Sequence, residues 1–141
     1  MYNLKINEHQ AEVLERALDL FSRIGMGQFK ELLRTFELNK LRSYSDDNYL
    51  KIVDQVKRLL DDIHILLTEL SPSGYFGITS NKIDDDFRVA FDIYQVIKHR
   101  LSWDRVPDGR IGIDFYDPLP ASTEEHLAEF TRDDGQEESG P

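Results

Sequence analysis

Residues 84–105 read DDDFRVAFDIYQVIKHRLSWDR, and their apolar side chains recur at the three- and four-residue spacing of an α-helix. A helix that is apolar around most of its circumference must be covered by several neighbours. We therefore expect the rest of the chain to pack around this helix. Its two adjoining apolar stripes contain Phe87, Ala90, Phe91, Tyr94, Ile97 and Leu101 in one, and Val89, Ile93, Val96 and Trp103 in the other.

Two further helical segments precede this one. Asn7 and Gln10 have the spacing of a capping box at the start of the first. We expect this helix to continue through Gly25 and Gly27, with a bend or a close helix–helix contact at the glycines. Glycine weakens a helix by about 1 kcal/mol without forbidding it, so we prefer this interpretation to a loop that cradles a ligand. Residues 49–70 repeat apolar side chains every seven residues, which predicts a long helix packed lengthwise as in helical bundles.

Two short segments alternate apolar and polar residues, as β-strands do. Residues 2–6 alternate near the N-terminus, and residues 111–115 alternate just after the turn sequence PDG at 107–109. Because neither strand is stable alone, we predict that they pair. The predicted fold is α+β and mainly α: a bundle of three to four long helices around a central buried helix, with a small two-stranded sheet joining the ends.

The density of negative charge differs between the parts of the chain before and after residue 118. Seven acids and one arginine lie within residues 119–141, so this segment carries −6 of the formal net charge of −10. We predict a single helical domain over residues 1–118 and an acidic, largely disordered tail over residues 119–141. Neither part has the basic surface that drives nucleic-acid binding, so we expect no nucleic-acid partner.

Composition excludes several classes of site. The chain has no cysteine, which excludes thiol nucleophiles, disulfides and thiolate metal sites. No apolar run approaches the roughly 18 residues of a membrane span, and the N-terminal residues lack the features of a signal peptide. We therefore expect a cytoplasmic protein without a membrane partner. The apolar seam of residues 49–70 is longer than a domain of this size readily covers, so we also expect a homo-oligomer.

Glu12 and Glu15 have the spacing of the Glu-x-x-Glu pair that binds magnesium in MazG-like nucleotide pyrophosphohydrolases. Those enzymes carry a second carboxylate pair on another helix. The best substitutes here, Asp61 and Asp62, are adjacent and cannot point the same way on a helix. We therefore expect no enzyme activity, no catalytic residues, no metal site and no cofactor, and keep the pyrophosphohydrolase as an alternative.

The end of the central helix carries more cations than acids, and Trp103 lies among them. Guanidinium groups beside aromatic rings suit a ligand that has both a phosphate and a planar base. As an alternative, the cations only complement the helix dipole and Trp103 belongs to the core. The residues of the predicted ligand-binding site are Tyr94, Lys98, His99, Arg100, Trp103 and Arg105.

The sequences RIGMGQF at 23–29, FDIYQVI at 91–97 and SWDR at 102–105 resemble a group of small helical proteins of tailed bacteriophages. The resemblance spares the acidic tail and brings no catalytic residues with it. It implies a protein that acts on a component of the host cytoplasm. We therefore expect a non-enzymatic protein that sequesters a small nucleotide-like host ligand or immune signal. The alternative is an inhibitor that binds a host protein through its acidic surface or the apolar loop at 75–78.

Overall fold

The computed structural model describes residues 2–37 and 46–133, which form four α-helices and one 3-10 turn at Ile113–Phe115. The helices are α1 (Glu8–Gly25), α2 (Glu31–Glu37), α3 (Asp46–Thr68) and α4 (Asp85–Arg105). These four helices confirm the predicted mainly α character. None of the helices in these ranges combines the length and the apolar character that crossing a bilayer requires.

The first and last helices, α1 and α4, form the main helix pair. They run antiparallel, because Glu8 at the start of α1 bonds Arg105 at the end of α4, whereas Phe21 contacts Phe87 at the start of α4. The predicted helix over 84–105 is present, with the Asp84 carboxylate accepting a hydrogen bond from the backbone N–H of Asp86 as the N-cap. The core between the two helices contains Ala11, Ile97 and Leu101, with Leu14, Leu18 and Ile93 packed against it.

The predicted two-stranded sheet is wrong, since no residue in the described ranges belongs to a β-strand. Residues 2–6 lack regular structure, and the Ile6 side chain packs into the core between α1 and α4. In the other segment, Phe115 packs against Trp103 and Asp114 pairs with Lys98. These side-chain contacts hold residues 113–115 on α4, so the backbone folds as a 3-10 turn and does not reach the N-terminal segment.

The predicted continuation of the first helix through the glycines is also wrong. Helix α1 ends at Gly25, and Gly27 has a φ of 83°, a left-handed conformation that glycine adopts without steric cost. The backbone carbonyl of Gly27 accepts a hydrogen bond of 2.8 Å from Nδ1 of the buried His64. Because α1 ends before Gly27, the Gly27 carbonyl lies outside the helix and forms a hydrogen bond that connects α3 to the end of α1.

The long predicted helix over 49–70 appears as α3, whose 23 residues span about 35 Å at 1.5 Å per residue. It contacts the rest of the domain along one side, where Val53 and Leu60 pack with Leu33 of α2. The adjoining side stays exposed, and Leu66 retains 79 % of its accessible surface. Helix α3 is therefore attached to the domain without being enclosed by it.

The segment after residue 118 packs on α4. The buried carboxylate of Asp92 accepts hydrogen bonds from the Ala121 N–H at 2.8 Å, the Ser122 N–H at 3.0 Å and the Ser122 hydroxyl at 2.6 Å. Two turns earlier on α4, the Asp85 carboxylate accepts hydrogen bonds from the N–H and the hydroxyl of Thr123. These hydrogen bonds lower the pKa of the Asp85 carboxyl. Phe130 then packs against the core between α1 and α4. Contacts with α4 thus continue past the boundary placed at residue 118, while residues 134–141 of the predicted tail lie outside the described residues.

Replacing Asp92 by alanine should remove the acceptor for three donors and release Ala121 and Ser122 from α4. Hydrogen bonds to charged groups contribute about 1.5–3 kcal/mol each and are not additive, so we expect a loss of about 2–4 kcal/mol in the free energy of unfolding. Urea denaturation measures this loss in the free energy of unfolding. Asp108→Ala, in an exposed loop, is the control and should change stability by less than about 0.5 kcal/mol. Equal midpoints for Asp92→Ala and the parent protein would contradict this role.

Replacing Gly25 by alanine should disturb the contact between α1 and α4, because the new Cβ would lie 2.1 Å from Cγ of Phe87. Overpacking of this kind costs about 1–3 kcal/mol. Gly77→Ala is the matched control, since a Cβ there meets no atom within 4 Å. Adding Phe87→Leu to Gly25→Ala should recover part of the loss. A higher melting temperature for Gly25→Ala alone would show that the ring yields freely and that helix propensity dominates.

Candidate functional site

A cavity of about 480 Å³ opens between the second half of α4 and the segment that follows it. One wall belongs to α4, and the other is built from the loop after the 3-10 turn and from Phe130. The residues that decide its chemistry are His99, Arg100, Trp103, Phe115 and Asp117. The cavity is therefore largely aromatic, with one guanidinium group and one carboxylate at its edge.

Three of the six predicted ligand-binding residues, His99, Arg100 and Trp103, line this cavity together. They come together because positions 99 and 103 are one helical turn apart and position 100 adjoins them on α4. The other three predicted residues, Tyr94, Lys98 and Arg105, do not line it. Sequence reasoning missed Phe115 and Phe130, which lie far along the chain and have no local pattern that links them to α4.

The indole of Trp103 forms the main aromatic surface of the site. The ring of Phe115 meets it edge-on, with centroids 5.3 Å apart and planes at 82°. On another side the backbone turns closely past it at Gly109, where φ is 70° and a Cβ would lie 2.9 Å from Cη2 of the indole. Trp103 still keeps 38 % of its surface exposed. The indole is thus held in place while part of it stays open to a second ring.

A hydrogen bond between two side chains fixes the orientation of Trp103. Its Nε1–H donates to Nε2 of His99 at 3.0 Å. Because an indole N–H can only donate, Nε2 of His99 must accept, and the proton of the neutral imidazole lies on Nδ1. The carboxylate of Asp117 is 3.9 Å from the same Nε2, too far for a hydrogen bond. His99 therefore acts as a positioning group for the indole in its neutral form.

Arg100 is the cation of the cavity. Its Nη2 forms an ion pair of 2.9 Å with Oδ1 of Asp104, one turn further along α4. Its Nε is buried and has no hydrogen-bond partner among the described residues. A guanidinium group carries five N–H donors. Because Nε is closed to solvent, the donors left for an anion beside the contact with Asp104 are those of the two Nη atoms.

The remaining predicted cations are paired with acids and tie segments together. Lys98 lies 3.1 Å from Asp114 and donates to the Tyr94 hydroxyl at 2.9 Å. Burial lowers the pKa of Lys98, but the contacts with Tyr94 and Asp114 outweigh this effect and the net direction is upward. Arg105 donates to Glu8 at 3.2 Å and also bonds Glu12. Much of the positive charge predicted for this region is therefore neutralised within the protein.

The carboxylates of the incomplete Glu-x-x-Glu motif face α4. Glu12 bonds Arg105, and burial raises the pKa of Glu15 despite the attraction of Lys98, which lowers it. In the part of the chain that the structure describes, no group of three or more histidine, aspartate or glutamate side chains is arranged to hold a metal ion. Asp61, the substitute considered for the second pair, lies 3.0 Å from Lys30.

A second cavity of about 380 Å³ lies where the α1–α2 turn meets α3. Gly27, Phe29, Asp61, His64 and Tyr75 contribute to its wall. His64 donates through Nδ1 to the Gly27 carbonyl, and its Nε2 is buried without a hydrogen-bond partner among the described residues. The left-handed glycine therefore belongs to a cavity wall, although the sequence favoured a helical bend there.

The predicted apolar loop at 75–78 is only partly exposed. Tyr75 keeps 61 % of its surface, whereas Phe76 and Ile78 are half-buried. The backbone N–H of Phe76 donates to the Met26 carbonyl, and the Ile78 carbonyl accepts from Arg88. The loop is thus held against both α1 and α4 and presents one aromatic ring to solvent.

No family model, no curated protein and no solved structure matches this chain.

Replacing Glu15 by glutamine should stabilise the protein at neutral pH. The folded state raises the pKa of Glu15 through burial, so the folded protein binds this proton more tightly than the unfolded chain does. Stability from this group is present below the unfolded pKa, close to 4.5, and is lost as the pH rises through the folded pKa. Glutamine avoids that loss.

Urea midpoints measured from pH 4 to pH 8 test this sign. The advantage of Glu15→Gln should appear above the folded pKa and shrink toward zero in acid. Glu12→Gln is the matched control with the opposite expectation at neutral pH, because it weakens the contact with Arg105. A Glu15→Gln variant that is less stable than the parent at pH 7 would show that the attraction of Lys98 outweighs burial.

Proposed function

We propose that this protein binds and sequesters a small nucleotide-like ligand, without catalysis, in the cavity beside the second half of α4. The observation that supports this proposal is the combination of a half-open Trp103 indole, the ring of Phe115 and the incompletely bonded Arg100 in one cavity. A planar base would stack on the exposed part of the indole. An anionic group would take the remaining donors of Arg100.

Tight binding of such a ligand needs several contacts together. Stacking of a base on an aromatic side chain contributes about 1–3 kcal/mol, and guanidinium–phosphate contacts add strength and orientation. The net charge of −10 repels an anion at long range, but screening limits this repulsion to about 8 Å at physiological salt. An affinity of about 10 nM requires −11 kcal/mol, so the ligand must also bury apolar surface against Phe115 and Phe130.

The resemblance to small phage proteins gives the proposal a biological setting. A protein of this kind would act in the host cytoplasm, where removal of a nucleotide signal would block an immune response. Binding without turnover suits that role, because the ligand needs only to be withheld from its receptor.

Calorimetry and thermal-shift measurements with linear, cyclic and ADP-ribose-type nucleotides test the proposal. At least one nucleotide should raise the melting temperature, and Trp103→Ala should weaken its binding about 5- to 150-fold, as expected from the loss of 1–3 kcal/mol of stacking. Arg100→Ala should weaken binding of phosphorylated ligands more than binding of the matching nucleosides.

Arg105→Ala is the matched control, since it removes an arginine of the same helix that does not line the cavity. This variant should lose stability through Glu8 and Glu12 but keep the affinity of the parent protein. Two results would contradict the proposal: no nucleotide raises the melting temperature, or Trp103→Ala binds as tightly as the parent.

A further inference from the structure

Helix α3 exposes a continuous apolar stripe on the side next to its attachment. The stripe contains Ile52, Leu59, Ile63 and Leu66, which keep 37 %, 56 %, 43 % and 79 % of their surface. Their spacing of seven, four and three residues places all four on one side of the helix. It is also the spacing of the seam along which two helices pack in a coiled coil. The side chains thus form a long apolar surface that no helix of the described residues covers.

Charged side chains follow one edge of this stripe. At 100° per residue, Lys51, Arg58 and Asp62 project within about 40° of one another, and Glu69 follows them at the end of the helix. All four are exposed, and none forms an ion pair within the described residues. The order along the helix is two cations followed by two anions. Glu69 follows the last helical residue: its N–H still donates to the Ile65 carbonyl at 3.0 Å, but its φ of 59° is left-handed, so the helix ends there and Glu69 stands at its C-terminal end.

We propose that this face of α3 binds α3 of a second copy of this chain, with the two helices antiparallel. Reversal of one helix brings Lys51 beside Glu69 of the partner subunit and Arg58 beside Asp62 of the partner subunit. In a parallel arrangement the two-fold axis would place the charged edges of the two helices on opposite sides of the seam, so these cations and anions would not meet. The charge order therefore favours a second copy in the antiparallel direction.

The same arrangement satisfies the apolar stripe. With Lys51 opposite the partner's Glu69, Leu59 lies within about 3 Å along the axis of the partner's Ile63. The two-fold axis repeats this contact between Ile63 and the partner's Leu59. Such an isologous interface closes as a dimer and leaves no open end for further addition. The interface lies on a different helix from the cavity beside α4, so this inference does not rest on the proposed ligand.

Sedimentation of the full-length protein at tens of micromolar and low salt tests the interface. The parent protein should be a dimer, and Leu59→Glu or Leu66→Glu should give folded monomers with unchanged helical circular dichroism. Ile111→Glu is the matched control, because Ile111 is fully exposed in a loop away from α3, and it should remain dimeric. A monomeric parent protein, or a dimeric Leu59→Glu variant, would overturn the proposal.

A charge exchange tests the direction. Lys51→Glu and Glu69→Lys should each weaken the dimer about 2- to 30-fold, since each change breaks two symmetry-related exposed ion pairs. The double variant should recover the affinity of the parent. Positions 51 and 69 of one chain are about 27 Å apart along the helix, so recovery must arise between two antiparallel chains. A double variant that binds as weakly as the single variants would overturn the antiparallel arrangement.

Discussion

The close contact between α1 and α4 is the constraint on which the rest of the structure depends. At one end the backbone of Gly25 lies directly against the ring of Phe87, and at the other Arg105 bonds the first turns of α1. Between these ends the small side chain of Ala11 lets Ile97 approach within the core. The pair fixes α4 in space, and α4 in turn carries the cavity residues and the two aspartates that bind the C-terminal segment.

Helices α2 and α3 form a second, smaller core that joins this pair through few contacts. Leu33, Val53 and Leu60 pack together, while the bond from His64 to the Gly27 carbonyl connects α3 to the end of α1. The two helical units thus carry different features. The cavity lies beside α4, and the exposed apolar stripe lies on α3.

Local periodicity explains which elements could be predicted from the sequence. Helices α3 and α4 follow from three- and four-residue spacing, and the capping box of Asn7 and Gln10 is present as the sequence indicates. The alternation in residues 111–115 wrongly predicted a strand, because a strand needs a partner strand. The packing of Phe115 on Trp103 holds this segment against α4 and away from the N-terminal segment. Half of the candidate site was predictable because it lies on one helix. Phe115 and the paired state of Arg105 depend on contacts between distant segments, which no spacing within a helix reveals.

The carboxylates of Asp92 and Asp85 fix the point at which the segment 106–120 returns to α4. They fasten residues 121–123 to α4, so the loop leaves the end of α4 and returns to the same helix at a fixed point. The entropic cost of closing such a loop grows only slowly with its length, and surface loops on a rigid framework tolerate insertion and substitution. Since this loop supplies one wall of the cavity, substitutions at its exposed positions would change the size and chemistry of the cavity while the helical framework stays the same.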